Sequence, residues 1–304
     1  MPGTSVDVPV LLILFNRPNH VRQLLDRLRA GQPKSLYVAV DGARLGYPTD
    51  MVRVAECIAT LDEIDWPCTV HRLIRDQNLG CKLAVSSAID WFFQQVPEGV
   101  ILEDDCLPDP TFFSFCADLL TRYRSDERVM HISGANLYQG RTWGDASYFF
   151  SPIPHIWGWA TWRRAWQHYD VQMTGYPDFD QSGGIERTVP DQDSVRYWKR
   201  VLSATFGGTI NTWDYQWVYT IWRKGGLCIT PNHNLITNIG FGKDATHTIT
   251  VSPFANMPTK ALPAITHPAG RNIDTAALTY IVRSLYVTPS WFMRKLTRLK
   301  QLLS

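Results

Sequence analysis

Over the first 135 residues, apolar runs alternate regularly with amphipathic stretches. Val10 to Phe15 reads as a buried strand, broken by Asn16-Arg17-Pro18-Asn19. A helix follows with Asn19 as its N-cap, and Val21, Leu24, Leu25 and Leu28 fall on one face. Leu36 to Val40 is a second strand ending at Asp41-Gly42, and residues 49–61 form a helix with Val54, Ile58 and Leu61 inward. Thr69 to Ile74 is a third strand, the polar turn Arg75 to Gly80 follows, and the next helix runs from Lys82 to Gln95. Val100, Ile101 and Leu102 then suit a strand buried on both faces, as in a parallel sheet. This order predicts an α/β fold with a mostly parallel central sheet, flanked by helices in right-handed crossovers.

Beyond Asp109, a helix is expected to Arg124, with Asp109 as cap and Pro110 in its first turn. Val129 to Ile132 is a further strand. The pattern then changes: residues 140–170 are rich in Trp, Gly and His, and 171–192 in Gly, Asp and Pro, which reads as a mobile loop. A helix over 193–204, one opened by Asp214 as N-cap, and a strand over Leu227 to Thr230 precede a Gly-rich polar segment, 238–248. The expected organisation is one domain over 1–250, split at 135/136 into two halves, plus an extension over 251–304. Beyond Asp274 the extension has no acid, and its Arg and Lys interleave with Leu, Trp and Phe. Such a helix either lies on an anionic membrane surface or packs on the body.

With 304 residues and 45% hydrophobic content, the chain can bury a large core. A net charge of +2 gives no global nucleic-acid footprint, and no such partner is expected. The six cysteines form no C-x-x-C pair and no zinc spacing, so they read as buried thiols of a reducing compartment. No signal-type or membrane-spanning stretch is read, and a cytoplasmic protein is expected, with the basic helix as its peripheral contact to the membrane's inner face.

The chemistry concentrates at predicted strand ends. Glu103, Asp104 and Asp105 end the fourth strand consecutively, where α/β sheets bind ligands. Adjacent acids repel, and hard oxygen ligands suit Mg²⁺ or Mn²⁺; the alternative is a solvated acidic turn. Asp41 ends a neighbouring strand, either facing the same crevice or forming an Asp-Gly turn. No Gly-x-Gly-x-x-Gly or P-loop occurs, which counts against dinucleotide oxidoreductases and Walker-type NTPases. The first strand also lacks the glycine-rich loop expected of a sugar-phosphate nucleotidyltransferase.

Three clusters resemble a known family. Glu103-Asp104-Asp105 with Pro110-x-Phe112-Phe113 is similar to its variant of the Asp-x-Asp motif. Phe150 to Trp159, ending in Gly158-Trp159, is similar to its acceptor-side segment. Trp213-Asp214, Arg223-Lys224-Gly225, Gly240-x-Gly242 and His247 follow its C-terminal order. The family is N-acetylglucosaminyltransferase I with its bacterial relatives, of GT-A fold, and the resemblance spans residues 8 to 250 outside the 171–192 segment. It implies an inverting, metal-dependent transfer from a UDP-sugar to a hydroxyl of a glycan or glycolipid, with N-acetylglucosamine as one candidate sugar. By analogy with bacterial relatives, the acceptor belongs to surface polysaccharide biosynthesis or is a lipid-linked glycan.

The resemblance implies roles residue by residue. Asp105 would be the direct ligand of Mn²⁺ or Mg²⁺, Asp104 would meet the ribose, and Glu103 would orient the donor sugar or the metal's water shell. Asp41 would accept the N3 hydrogen of uracil, with Asn16 and Arg17 flanking the base. Arg75 or Lys82 would contact diphosphate or ribose, against an alternative of surface solvation. Asp214, between the aromatics Trp213 and Tyr215, is the candidate base; the alternative is a helix cap, and Asp193 and Asp244 are fallbacks because Tyr215 stands where relatives carry a second acid. His247 would complete the metal or diphosphate shell. Gly158 and Trp159 are expected on the acceptor side, Trp159 as a sugar platform.

Overall fold

Apolar residues at every position make the central strands legible and also place them, because only a strand covered on both faces tolerates such a run. The computed structural model describes residues 7–241 and 254–286. β1 (Val10–Leu14), α1 (Pro18–Gly31), β2 (Ser35–Val40), α2 (Pro48–Ala59), β3 (Thr69–Ile74), α3 (Gly80–Gln95) and β4 (Glu98–Glu103) follow the expected alternation. β5 (Cys106–Pro108), α4 (Pro110–Arg122) and β6 (Val129–Ser133) come next. Then follow β7 (Tyr148–Ser151), β8 (Trp159–Trp162), α5 (Arg163–Trp166), α6 (Tyr176–Gln181), α7 (Gly184–Thr188) and α8 (Gln192–Phe206). α9 (Asp214–Arg223), β9 (Leu227–Pro231), β10 (Ile236–Asn238) and α10 (Thr275–Ile281) follow, with a 3-10 helix over Thr60–Glu63 and a π-helix over Val282–Tyr286 completing the described elements.

Among the described residues, the main sheet has eight strands in the order β3-β2-β1-β4-β8-β6-β9-β7. β3, β2, β1 and β4 are mutually parallel, as is the pair β6/β9, while β8 and β7 run antiparallel to their neighbours. The expectation of a mostly parallel sheet between helices therefore holds. β5 and β10 form a separate antiparallel ribbon that pairs Asn238 with Cys106 directly after the acidic turn.

Several local expectations are corrected. Asn19 lies inside α1, which starts at Pro18 with Arg17 at the N-cap and no side-chain cap bond. The proline, preset for a first helical turn, defines that start. Residues 171–192 are no open loop: α6 and α7 occupy half of the stretch, because Tyr176, Phe179 and Ile185 are buried against the body. Asp214 is the first residue of α9 and Trp213 its N-cap. Asp109, by contrast, caps α4 as expected, accepting from the Thr111 N–H at 2.9 Å. The six cysteines are all free, and no helix among the described residues is long and apolar enough to cross a membrane. The basic helix beyond Tyr286 lies outside the described residues.

The half of the sheet around β6, β8 and β9 holds a buried aromatic cluster with two histidines in it. His131 has one nitrogen, Nδ1, 3.2 Å from the indole Nε1 of Trp217, and the other, Nε2, 3.2 Å from the His155 carbonyl. An indole N–H only donates and a carbonyl only accepts, so His131 is neutral with its proton on Nε2. Burial lowers His131 to about 3 and His155 to about 4. Below the ordinary histidine value of about 6.5, the unfolded chain binds protons that the folded core refuses, so stability falls as pH drops. Urea unfolding should give a level stability above about pH 7 and a loss of up to about 1.4 kcal/mol per pH unit for each histidine between about pH 6.5 and 4.5. A profile that stays flat down to about pH 5 would contradict the burial of these rings.

Candidate active site

The carboxyl ends of β1, β2 and β4 open on one edge of the sheet, and most of the anticipated residues collect there. β1 and β4 are neighbours, with Ile13 opposite Glu103, so the turn after β1 carries Arg17 to the acids after β4. The guanidinium of Arg17 spans Asp104 and Asp105. Its Nε donates to Asp104 Oδ2 at 3.2 Å, its Nη2 also bonds Asp104, and its Nη1 donates to Asp105 Oδ2 at 3.0 Å. Burial works against the charge on Arg17, but the two carboxylates outweigh it and hold its pKa above the ordinary value. Burial, the larger effect, raises the Asp104 carboxyl, and Arg17 opposes it.

Glu103 differs from its two neighbours. Its side chain makes no hydrogen bond or ion pair among the described residues, and burial followed by the charges of Asp105 and Asp104 raises its pKa. Asp214 adds to the same shift, which puts the two carboxylates within electrostatic reach across the crevice. Cys81, at the start of α3, is pushed up to about 12 by burial and then by Glu103, Asp214 and Asp41. Asp214 accepts from the Thr212 hydroxyl. The Tyr169 hydroxyl donates to the Trp213 carbonyl at 3.0 Å, fixing the entry to α9. Half-buried Tyr215, Tyr197 and Tyr286 surround this end of α9, with the Tyr197 and Tyr286 rings 5.3 Å apart.

The ribbon of β5 and β10 closes over Asp105. The Ile239 N–H donates to the Asp105 carbonyl at 2.9 Å, and Asn238 Nδ2 lies 3.4 Å from Asp105 Oδ1. A Cβ at Gly240 would fall on Asp105 Oδ2, so only glycine lets the backbone approach this closely. The expected Gly240-x-Gly242 segment therefore begins against the acid. Gly242, Lys243, Asp244 and His247 lie outside the described residues.

Other residues have different surroundings from those expected. The Asp41 carboxylate is buried and accepts from the backbone N–H groups of Leu79 and Gly80, at 3.0 and 3.2 Å, and from Asn78 Nδ2 at 2.8 Å. It neutralises the N-terminus of α3 from a different strand, so its oxygens are already committed to protein donors rather than open to a base. Asn16 Nδ2 donates to buried Asp50 at 2.8 Å, and Arg44 bonds both Asp50 oxygens. The Arg44 guanidinium also lies 4.3 Å from the Tyr47 ring centre and 5.4 Å from that of Phe15. Asn16 is thus tied into a structural network, and the Arg44–Asp50 pair was not read from sequence. A helix-initiating Pro48-x-Asp50 after an arginine was its one local signal.

Arg75 Nη2 donates to the Ser87 hydroxyl at 2.8 Å, and burial lowers its pKa against the pull of Asp41. Neither Arg75 nor Lys82 makes an ion pair among the described residues, which leaves two cations beside the crevice. Trp159 is a correction. Its side chain is fully buried, stacked on His131 at 4.9 Å and on Trp213 at 5.7 Å, because β8 runs through the middle of the sheet. No sugar face can reach that indole. Gly158 has φ +59°, and a Cβ there would collide with Ile236, so this glycine is explained by close packing.

The residues fit a hard divalent ion in one respect. Two of the three carboxylates share a single guanidinium, and among the described residues Asp105 Oδ1 is held only by contacts of 3.4 Å from Cys106 Sγ and Asn238 Nδ2. Among the described residues no group of three or more His, Cys, Asp or Glu could hold a metal. An ion at Asp105 would take its remaining ligands from water and phosphate, as Mg²⁺-like ions do.

No family model and no curated protein matches this chain. Solved structures that match include a mannosyltransferase from Pyrobaculum calidifontis in complex with GDP-Man and Mn²⁺, at 16% identity and TM-score 0.33, over 53% of this chain and 46% of that one. A UDP-glucose pyrophosphorylase complexed with UDP-glucose matches at 8% identity and TM-score 0.35, over 53% of this chain and 78% of that one. The chain thus covers less than half the length of the mannosyltransferase. At these scores neither likeness bears on what this chain does.

Asp41 offers a direct check on the geometry. Asp41→Ala strands the Leu79 and Gly80 N–H groups at the start of α3 and should cost about 1–3 kcal/mol in urea unfolding. A variant as stable as the parent would show that the carboxylate is not holding the helix.

Proposed function

We propose that this chain is an inverting, metal-dependent glycosyltransferase of GT-A type, moving a sugar from a UDP-sugar to a hydroxyl of a glycan or glycolipid. N-acetylglucosamine is the sugar suggested by the family resemblance. The observation that carries the reading is the acidic end of β4: three consecutive carboxylates at a ligand-binding sheet edge, with one guanidinium bridging Asp104 and Asp105.

In this reading Asp105 holds the divalent ion. When bound, the ion supplies Lewis-acid neutralisation of the departing diphosphate. Asp104, fixed by Arg17, meets the ribose, and Glu103 orients the donor sugar. Arg75 and Lys82 give the diphosphate cationic neighbours. Asp214 takes the proton of the acceptor hydroxyl as that oxygen bonds the anomeric carbon. The bond from that carbon to the diphosphate oxygen breaks on the opposite face, which inverts the centre. With Trp159 in the core, the half-buried tyrosines around Asp214 are the aromatic surface left for an acceptor sugar.

The occupation of Asp105 by Arg17 favours a second reading, a nucleotide-sugar-binding protein without catalysis. Slow hydrolysis of UDP-, GDP- and dTDP-sugars with and without Mn²⁺ separates the two. The enzyme should hydrolyse one donor series in the presence of metal, whereas a binding protein should hydrolyse none. Asp105→Ala should abolish the Mn²⁺ dependence of UDP binding, measured by calorimetry, and an unchanged dependence would refute the assignment. Asp214→Asn should lower kcat by about 100-fold or more while keeping donor affinity. Near-normal turnover in that variant would move the base elsewhere.

A further inference from the structure

Arg17 occupies the carboxylate that the proposed function assigns to a metal. Its Nη1 lies 3.0 Å from Asp105 Oδ2, while Nε and Nη2 grip Asp104. The three side chains are largely buried: 16% of Arg17, 3% of Asp104 and 15% of Asp105 is exposed. A pair this sheltered is little screened by water or salt, so its strength is felt by any competing cation. The grip on Asp104 uses two donors of the planar fork and the grip on Asp105 a single one. The weaker arm is therefore the one that a second cation would compete with.

We propose that Arg17 is a resident counter-cation that makes metal loading conditional on the nucleotide. Without nucleotide, the guanidinium satisfies Asp105 and lowers the affinity of the site for a divalent ion. A nucleoside diphosphate brings negative charge and oxygen ligands, which offset the loss of the Arg17–Asp105 contact, so ion and nucleotide bind together. Arg17 keeps its hold on Asp104 throughout and acts as a positioning residue rather than a catalytic one. This inference rests on the reading of Asp105 as a metal ligand and goes beyond it: shared phosphate ligands already couple ion and nucleotide, whereas only a competing Arg17 predicts that its removal raises the nucleotide-free affinity for the ion.

The test is direct Mn²⁺ binding, read from the loss of the free-ion electron paramagnetic resonance signal, with and without UDP. Parent protein should bind Mn²⁺ weakly alone and at least about tenfold more tightly with UDP, a coupling of ordinary size for linked sites. Arg17→Gln should raise the nucleotide-free affinity by about tenfold or more and shrink the coupling. Arg17→Lys keeps the charge but cannot bridge two carboxylates, so it should move the same way by a smaller factor, and it carries the test if the glutamine variant fails to fold. Unchanged or weaker nucleotide-free Mn²⁺ binding in the folded variants overturns the inference while leaving the metal site standing. Parent protein that binds Mn²⁺ equally well with and without UDP overturns the inference and, by linkage, the Mn²⁺ dependence of UDP binding as well. Parent protein that binds no Mn²⁺ in either arm overturns both the inference and the metal-dependent reading beneath it.

Discussion

One buried guanidinium shared by two adjacent carboxylates sets the terms for the ligand edge of this sheet. Glu103, Asp104 and Asp105 are forced together by the chain itself, at the end of a strand with no exposed face. Desolvating three such charges without relief is prohibitive, and breaking a buried ion pair typically costs about 3–5 kcal/mol. Arg17 is available because β1 is the parallel neighbour of β4, and Pro18 starts α1 just after it. The sheet order thus supplies the cation that the acidic turn requires. α1 has no side-chain N-cap because a guanidinium carries only donors and cannot accept from the helix N–H groups.

Hydrogen-bond satisfaction sorts the acids at this edge better than their position does. Asp41 and Asp50 are buried, and each is supplied with donors from other parts of the chain. Such groups have little hydrogen-bonding capacity left for a ligand. Glu103 sits in the same region without a donor among the described residues, and its pKa is raised accordingly. The same contrast holds for cations. Arg44 is held between Asp50 and the rings of Phe15 and Tyr47, whereas Arg75 meets only a serine hydroxyl.

The part of the fold legible in sequence was the part with one physical signal per element. Parallel strands buried on both faces read as unbroken apolar runs, and β1, β2 and β4 came out within a residue or two; β3, at the sheet edge and largely exposed, was found without that signal. β7 and β8 were missed because both are four residues long and lie in a Trp-rich stretch without alternation. Composition could not tell a sugar platform from a core, since Trp159 suits either until its stacking on His131 and Trp213 is seen. Residues 171–192 misled in the opposite direction: their Gly, Pro and Asp read as open loop, while Tyr176, Phe179 and Ile185 anchor two short helices. Asp41 was placed at the right edge, but its partners lie 38 and 39 residues further on, at the start of α3. No local pattern encodes such a meeting.

The acidic motif was readable as a motif but not as a site, and the difference lies in long-range contacts. Asp105 is defined by Arg17, 88 residues earlier, and by Asn238, 133 residues later. The ribbon of β5 and β10 fixes that second approach, because pairing Cys106 with Asn238 leaves Gly240 directly over the carboxylate. A side chain at position 240 would have to displace either the ribbon or Asp105. The glycine therefore fulfils a steric requirement of the acid, whatever it contributes to motion. The resemblance that linked Gly240 to the acidic triplet joined two stretches that are distant in sequence, and the ribbon supplies a physical reason why they belong together.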